Sequence, residues 1–122
     1  MSAMTLFNGV IAIGVSDLDA AIAWYKEKFE LRESGHKVQD GDPGDTELVS
    51  RNGEIMIVLS TGIEPQGNEP PPILNTADAA EAREWLLAHE VNVGPVQTDI
   101  QATRYIEMRD LDNNMIEISE EP

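Results

Sequence analysis

Two hydrophobic periods alternate along this chain, and the alternation runs through twice. Asn8 to Val15 is an apolar strand. Ser16 or Asp17 then caps a helix to about Phe29, on which Leu18, Ile22, Tyr25 and Phe29 recur at helical spacing and would face a sheet. Period-two strands follow near Arg32 to Gln39, Thr46 to Arg51 and Glu54 to Ser60, with Asn52-Gly53 as a two-residue hairpin signal. Thr61 to Pro72, "TGIEPQGNEPPP", reads as a linker, because proline and glycine disfavour both helix and ladder. The order then restarts. Pro72 to Asn75 is a short strand, Thr76 or Asp78 caps a helix to about His89 that buries Ala79, Ala82, Trp85 and Leu86, and strands follow near Val91 to Gln97, Thr103 to Arg109 and Met115 to Ser119.

The halves overlay with a gapless shift of 61: Asp17 on Asp78, Ala21 on Ala82, Trp24 on Trp85, Ile55 on Ile116, Ile57 on Ile118. The shift also overlays both helix caps and both final hairpins. Such a repeat implies two βαβββ modules, each too small to bury its own sheet. The expected fold is α+β: two modules within a single domain spanning 1–122, forming a curved mixed sheet with a concave cavity and outer helices. Module 1 covers about 5–62, the linker about 61–72 and module 2 about 72–120. A concave face between two modules is a natural place for a ligand.

The last hairpin, "RDLDNNMIEISEE", has the acidic spacing of a calcium loop but not its turn. A helix-loop-helix site needs glycine at the sixth position, where this chain has Met115, and the residues that should begin a helix alternate as a strand. "DGDPGD", Asp40 to Asp45, fails in the same way, with Arg51 where a bidentate glutamate would stand. The stretch 110–114 is therefore a turn rich in Asp and Asn, and Glu117 is a carboxylate set between Ile116 and Ile118.

Composition narrows the choice of partner. The formal charge is −15, which repels the phosphates of nucleic acid and anionic membrane surfaces and weakly favours neutral or cationic ligands. The chain has no cysteine, so disulfides, zinc-thiolate sites and thiol nucleophiles are excluded. No apolar run suits a membrane span and no signal-peptide pattern opens the chain, which makes a cytoplasmic protein the default expectation. There is no glycine-rich phosphate loop and no Gly-x-Ser-x-Gly elbow.

Two segments carry a resemblance to a known family. "GVSDLDAAIAWYKEKFEL" resembles the first strand and helix of the vicinal oxygen chelate superfamily, which includes glyoxalase I, extradiol dioxygenases and bleomycin-resistance proteins. "RDLDNNMIEI" resembles its closing hairpin, with Asn113 in place of the usual glycine, a residue that tolerates the same backbone. The resemblance implies that four side chains, from the first and last strand of each module, face the cavity and hold a divalent metal in the metal-dependent members. Carried over, these positions are Val10, Met56, Pro71 and Glu117. Val10 and Pro71 have no donor and Met56 offers only a thioether, so neither a bound metal nor another cofactor is expected. His36 and His89 match no compact ligand motif, and "HEVNV" lacks a second histidine four residues on.

Val10, Met56, Pro71 and Glu117 are thus the expected ligand pocket, with Glu117 the candidate catalytic residue if there is one. Two roles are open for Glu117. It is either a family relic or an edge residue whose carboxylate reaches water or pairs with Arg104 or Arg109, or it is a pocket carboxylate that orients a ligand or takes a proton. The expected function is small-molecule binding of the bleomycin-resistance type, by a homodimer, for a neutral or cationic organic ligand. The alternative is a lyase, isomerase or dioxygenase with displaced metal ligands or with Glu117 as its base.

Overall fold

The structure, a computed structural model, describes residues 6–7, 9–34, 45–64 and 71–120. Among these lie ten strands and two helices: β1 (Leu6–Phe7), β2 (Gly9–Gly14), α1 (Leu18–Phe29), β3 (Leu31–Glu33), β4 (Asp45–Ser50), β5 (Ile55–Ser60), β6 (Ile73–Thr76), α2 (Ala79–Ala88), β7 (Asn92–Val93), β8 (Gln97–Thr98), β9 (Arg104–Arg109) and β10 (Met115–Glu120). The first module forms a sheet in the order β2-β5-β4-β3. The second repeats that order as β6-β10-β9-β7, with β8 also on β9. In each, the first and last strands are parallel, β2 with β5 and β6 with β10. The modules meet where β1 runs antiparallel to β6. This is the α+β architecture of two βαβββ modules expected from the repeat.

Both helices start at the aspartate of the pair considered. The Asp17 side chain accepts from the Ala20 N–H and the Asp78 side chain from the Glu81 N–H, each satisfying an orphan donor of the first turn. The buried stripe of α1 is Ala21, Tyr25 and Phe29, while Leu18 and Ile22 lie at its half-buried margin. That of α2 is Ala79, Ala82 and Leu86, with Trp85 beside it. These stripes meet Ile11, Ile13, Leu48 and Ile57 in module 1 and Leu74, Ile106, Ile116 and Ile118 in module 2. A fully buried isoleucine is worth roughly 1.5–3 kcal/mol. A one-residue slip of β10 would expose two of them and bury Glu117, so the register is strongly fixed.

Three local expectations need correction. The third strand is only Leu31–Glu33, and Ser34 follows it outside the ladder; the rest of its expected span, 35–39 with His36, lies outside the described residues, as do Asp40 and Asp42 of the next loop. Val91 to Gln97 is two short strands, because Pro95 has no N–H for the ladder. The hairpin at Asn52-Gly53 closes over four residues, Arg51 to Glu54, since Ser50 and Ile55 end the strands. The Asn52 side chain explains the wider turn: its Oδ1 accepts from the Glu54 N–H, and Gly53 alone takes a positive φ of 75°.

Candidate functional site

The helices cover one face of the sheets and leave the other open. On the open face of module 1, Val10, Met56 and Val49 stand in one cross-strand row, and Ala12, Val58 and Glu47 in the next. In module 2 the corresponding rows are Ile73, Glu117 and Glu107, then Asn75, Ser119 and Tyr105. Val10 is 73% exposed and Ile73 51%, large values for aliphatic side chains on paired strands. Ile116 and Ile118 are fully buried under the helices, and alternation therefore turns Glu117 to the open side, half-buried.

The register moves one residue of the expected set. Val10 pairs with Met56 across β2 and β5, and Glu117 pairs with Ile73 across β6 and β10. The counterpart of Val10 is accordingly Ile73, not Pro71, which precedes β6 and lies outside the ladder. A gapless shift could not find this, because the path from the first strand to the helix cap is two residues shorter in module 2: Val10 lies seven residues before Asp17, Ile73 five before Asp78.

Glu117 is not paired with either arginine considered for it. Arg104 binds Glu120 at 2.6 Å and lies 3.6 Å from Asp78, and Arg109 donates to the Asn113 carbonyl. Partial burial, then the carboxylates of Glu107 and Asp99, raise the Glu117 pKa above the ordinary glutamate range. Glu107 is the residue that sequence reasoning missed. It faces Glu117 directly in the ladder, and its Oε1 accepts from Gln97 Nε2 at 3.2 Å. The signal was present: Glu107 sits between Ile106 and Met108 just as Glu117 sits between Ile116 and Ile118.

The turn joining these two strands is anchored in the other module. Asp110 is buried and accepts four hydrogen bonds: from the Tyr25 hydroxyl at 2.5 Å, from Asn114 Nδ2, and from the backbone N–H groups of Asp112 and Asn114. Asn114 Nδ2 also donates to the Gly14 carbonyl, and Asp112 accepts from the Ser16 N–H and hydroxyl. Burial, then the adjacent Asp110 carboxylate, keep the Tyr25 hydroxyl protonated far above the usual tyrosine range. Asn113 adopts φ 65°, the left-handed backbone that asparagine tolerates. Gly14 is required by close approach: a Cβ there would lie 2.4 Å from the carbonyl oxygens of Ile63 and Glu64.

His89 and Trp85 belong to a different junction, on the helical side. Their rings stack at 4.0 Å, Trp85 Nε1 donates to the Lys28 carbonyl, and the Lys28 ammonium donates to the His89 carbonyl. The paired tryptophans are packing residues: Trp24 lies edge-on to Tyr25.

Residues 9–118 match the Glyoxalase/Bleomycin resistance protein/Dioxygenase superfamily. The chain belongs to that superfamily. Among solved structures, a superfamily member from Sphaerobacter thermophilus shares 22% identity over 94% of this chain and 97% of its own, with a TM-score of 0.74. An antibiotic binding protein from a Streptomyces species shares 19% over the whole of both chains, with a TM-score of 0.69. A lactoylglutathione lyase from Agrobacterium tumefaciens shares 23% over 91% of this chain and 90% of its own, with a TM-score of 0.65. A search of curated proteins finds no match. At these identities the structural likeness speaks to fold alone, and the fold carries both binders and enzymes.

The side chains at the positions that the resemblance carries over from the metal-dependent members, with Ile73 taken in place of Pro71 by register, do not fit a divalent metal. Val10, Met56, Ile73 and Glu117 supply one carboxylate and one thioether, against the three or four nitrogen, oxygen or thiolate ligands that zinc, iron or manganese require. Among the described residues no group of three His, Cys, Asp or Glu is placed to hold a metal ion.

Proposed function

We propose that this chain is a small-molecule binding protein whose ligand is an amphiphilic organic molecule, neutral or cationic. The observation that carries the reading is the content of the two corresponding rows of the open face: Val10 and Met56 in one module and Ile73 in the other are apolar, Val10 and Ile73 being exposed, and Glu117 and Glu107 stand beside Ile73. An aliphatic body would displace water from these apolar side chains, at about 25 cal/mol per Å² buried. A protonated amine would reach the carboxylates, which have no arginine or lysine among the described ion pairs. The likeness to an antibiotic binding protein supports a binding role, and the −15 formal charge supports a cation over an anion.

A second reading has its own support. The raised Glu117 pKa makes its carboxylate a better base than an ordinary glutamate, so proton abstraction from a bound carbon acid is within its chemistry. One experiment addresses both. A thermal-shift panel of size-matched lipophilic amines, neutral amides and carboxylates should show stabilisation by amines, weakened about tenfold in affinity by Glu117→Gln. Equal response to amines and carboxylates, or none to any, excludes the binding reading. Chemical conversion of a panel compound that stops in Glu117→Gln establishes the enzyme instead.

A further inference from the structure

We infer that Tyr25, acting through Asp110, is a positioning residue for the Glu107 and Glu117 pair, so that the helix of one module sets the separation and solvation of the carboxylates of the other. The connection is short. Asp110 and Asn114 are the two ends of the turn, and their strands begin one residue away on either side, with Glu107 three residues before Asp110 and Glu117 three residues after Asn114. The turn has five residues, so its geometry fixes which residues of β9 and β10 face each other. Its own backbone does not hold it alone. The Tyr25 hydroxyl meets Asp110 Oδ2 at 2.5 Å inside the core, Asn114 reaches the Gly14 carbonyl at 2.9 Å, and Asp112 takes both donors of Ser16. Every one of these partners lies in module 1. A carboxylate with four donors resists displacement, because any shift leaves buried donors unpaired. The functional weight of this coupling rests on the proposed use of the open face, whereas the coupling itself is testable without any ligand.

Tyr25→Phe removes one donor and almost no volume, and leaves Asp110 three others. Carbon-13 NMR titration of the glutamate side-chain carboxyls in the whole chain reads the result. The groups facing Glu117 are Glu107 and Asp99, so a loosened hairpin separates like charges and admits water. The Glu117 midpoint should then fall toward the ordinary glutamate range, by roughly 0.5 pH unit. A folded variant with an unmoved midpoint overturns the inference, since a merely structural role would lower the melting temperature and leave Glu117 unchanged. Should Tyr25→Phe fail to fold, Ser16→Ala decides by the same criterion, because it removes an exposed donor of the same tie. A shifted midpoint together with a failed amine panel would keep the coupling and discard the binding reading; the reverse would do the opposite.

Discussion

The closing hairpins of the two modules occupy equivalent places and are built to different ends. The turn Arg51–Glu54 is exposed and self-contained: Asn52 bonds to Ser50 and to the Glu54 N–H, and Gly53 supplies the left-handed residue with nothing within 4 Å of where a Cβ would be. The turn Asp110–Asn114 has the same kind of internal Asx bonding but carries it inside the molecule, where Tyr25 and the Gly14 carbonyl complete it. The strand residues differ in the same sense. The first hairpin presents Val49 and Met56 to the open face, the second Glu107 and Glu117. One module supplies apolar surface on a locally closed hairpin; the other supplies charge on a hairpin held by its neighbour. Repetition of a module fixes a fold, while the side chains at repeated positions remain free to diverge in role.

The largest test of this contrast removes the acceptor from each turn. Asp110→Ala leaves the Tyr25 hydroxyl, Asn114 Nδ2 and two backbone N–H groups without their shared acceptor in the interior, at an expected cost of about 3 kcal/mol or more in urea denaturation. Asn52→Ala exposes its former donors to water and should cost about 1 kcal/mol. Equal losses would mean that the second turn is no more tied to its surroundings than the first.

The two glycines extend the contrast. Gly14→Ala drives a Cβ into the backbone oxygens of Ile63 and Glu64 beside the anchoring carbonyl, and should cost about 1–3 kcal/mol through forced backbone movement. Gly53→Ala meets no atom and pays only for a positive φ, about 1 kcal/mol. Thermal unfolding of both variants orders them, and a larger loss for Gly53→Ala would contradict the steric account.

Much of this was legible in the chain. Period-two and helical spacing, with Asp17 and Asp78 as caps, yields the element order, and the alternation Ile116-Glu117-Ile118 is enough to orient Glu117. Three things were not. Ile73 was hidden behind Pro71 because a fixed sequence shift ignores the offset between parallel first and last strands. Glu107 was visible as a pattern, but its partner depends on the length of the turn, which propensity alone does not set. The Tyr25–Asp110 bond spans 85 residues and looks in sequence like an apolar helix position and a turn aspartate, each with a sufficient local explanation.

The smallest effect tests the strand residues themselves. Burial and the facing carboxylates raise the folded-state pKa of Glu117, so the folded protein holds its proton to higher pH than the unfolded chain. Stability from this group is therefore fully present below the ordinary glutamate range and is lost as pH rises through the raised folded value. Above that value the ionised pair Glu107 and Glu117 opposes folding, in the manner of like charges directly opposite on neighbouring strands, by about 0.2–1 kcal/mol, and solvent screening places it toward the lower end. Glu117→Gln should then be more stable than the parent at pH 7 and indistinguishable from it at pH 3, with the difference opening between those limits. Met56→Gln, at the matching place in the first hairpin, introduces no titrating group and should shift stability by the same amount at both pH values. Urea midpoints for the three proteins across this range suffice. A Glu117→Gln difference that does not change with pH would show that the carboxylates do not feel one another, and the open face would then be charged on one side without being strained by that charge.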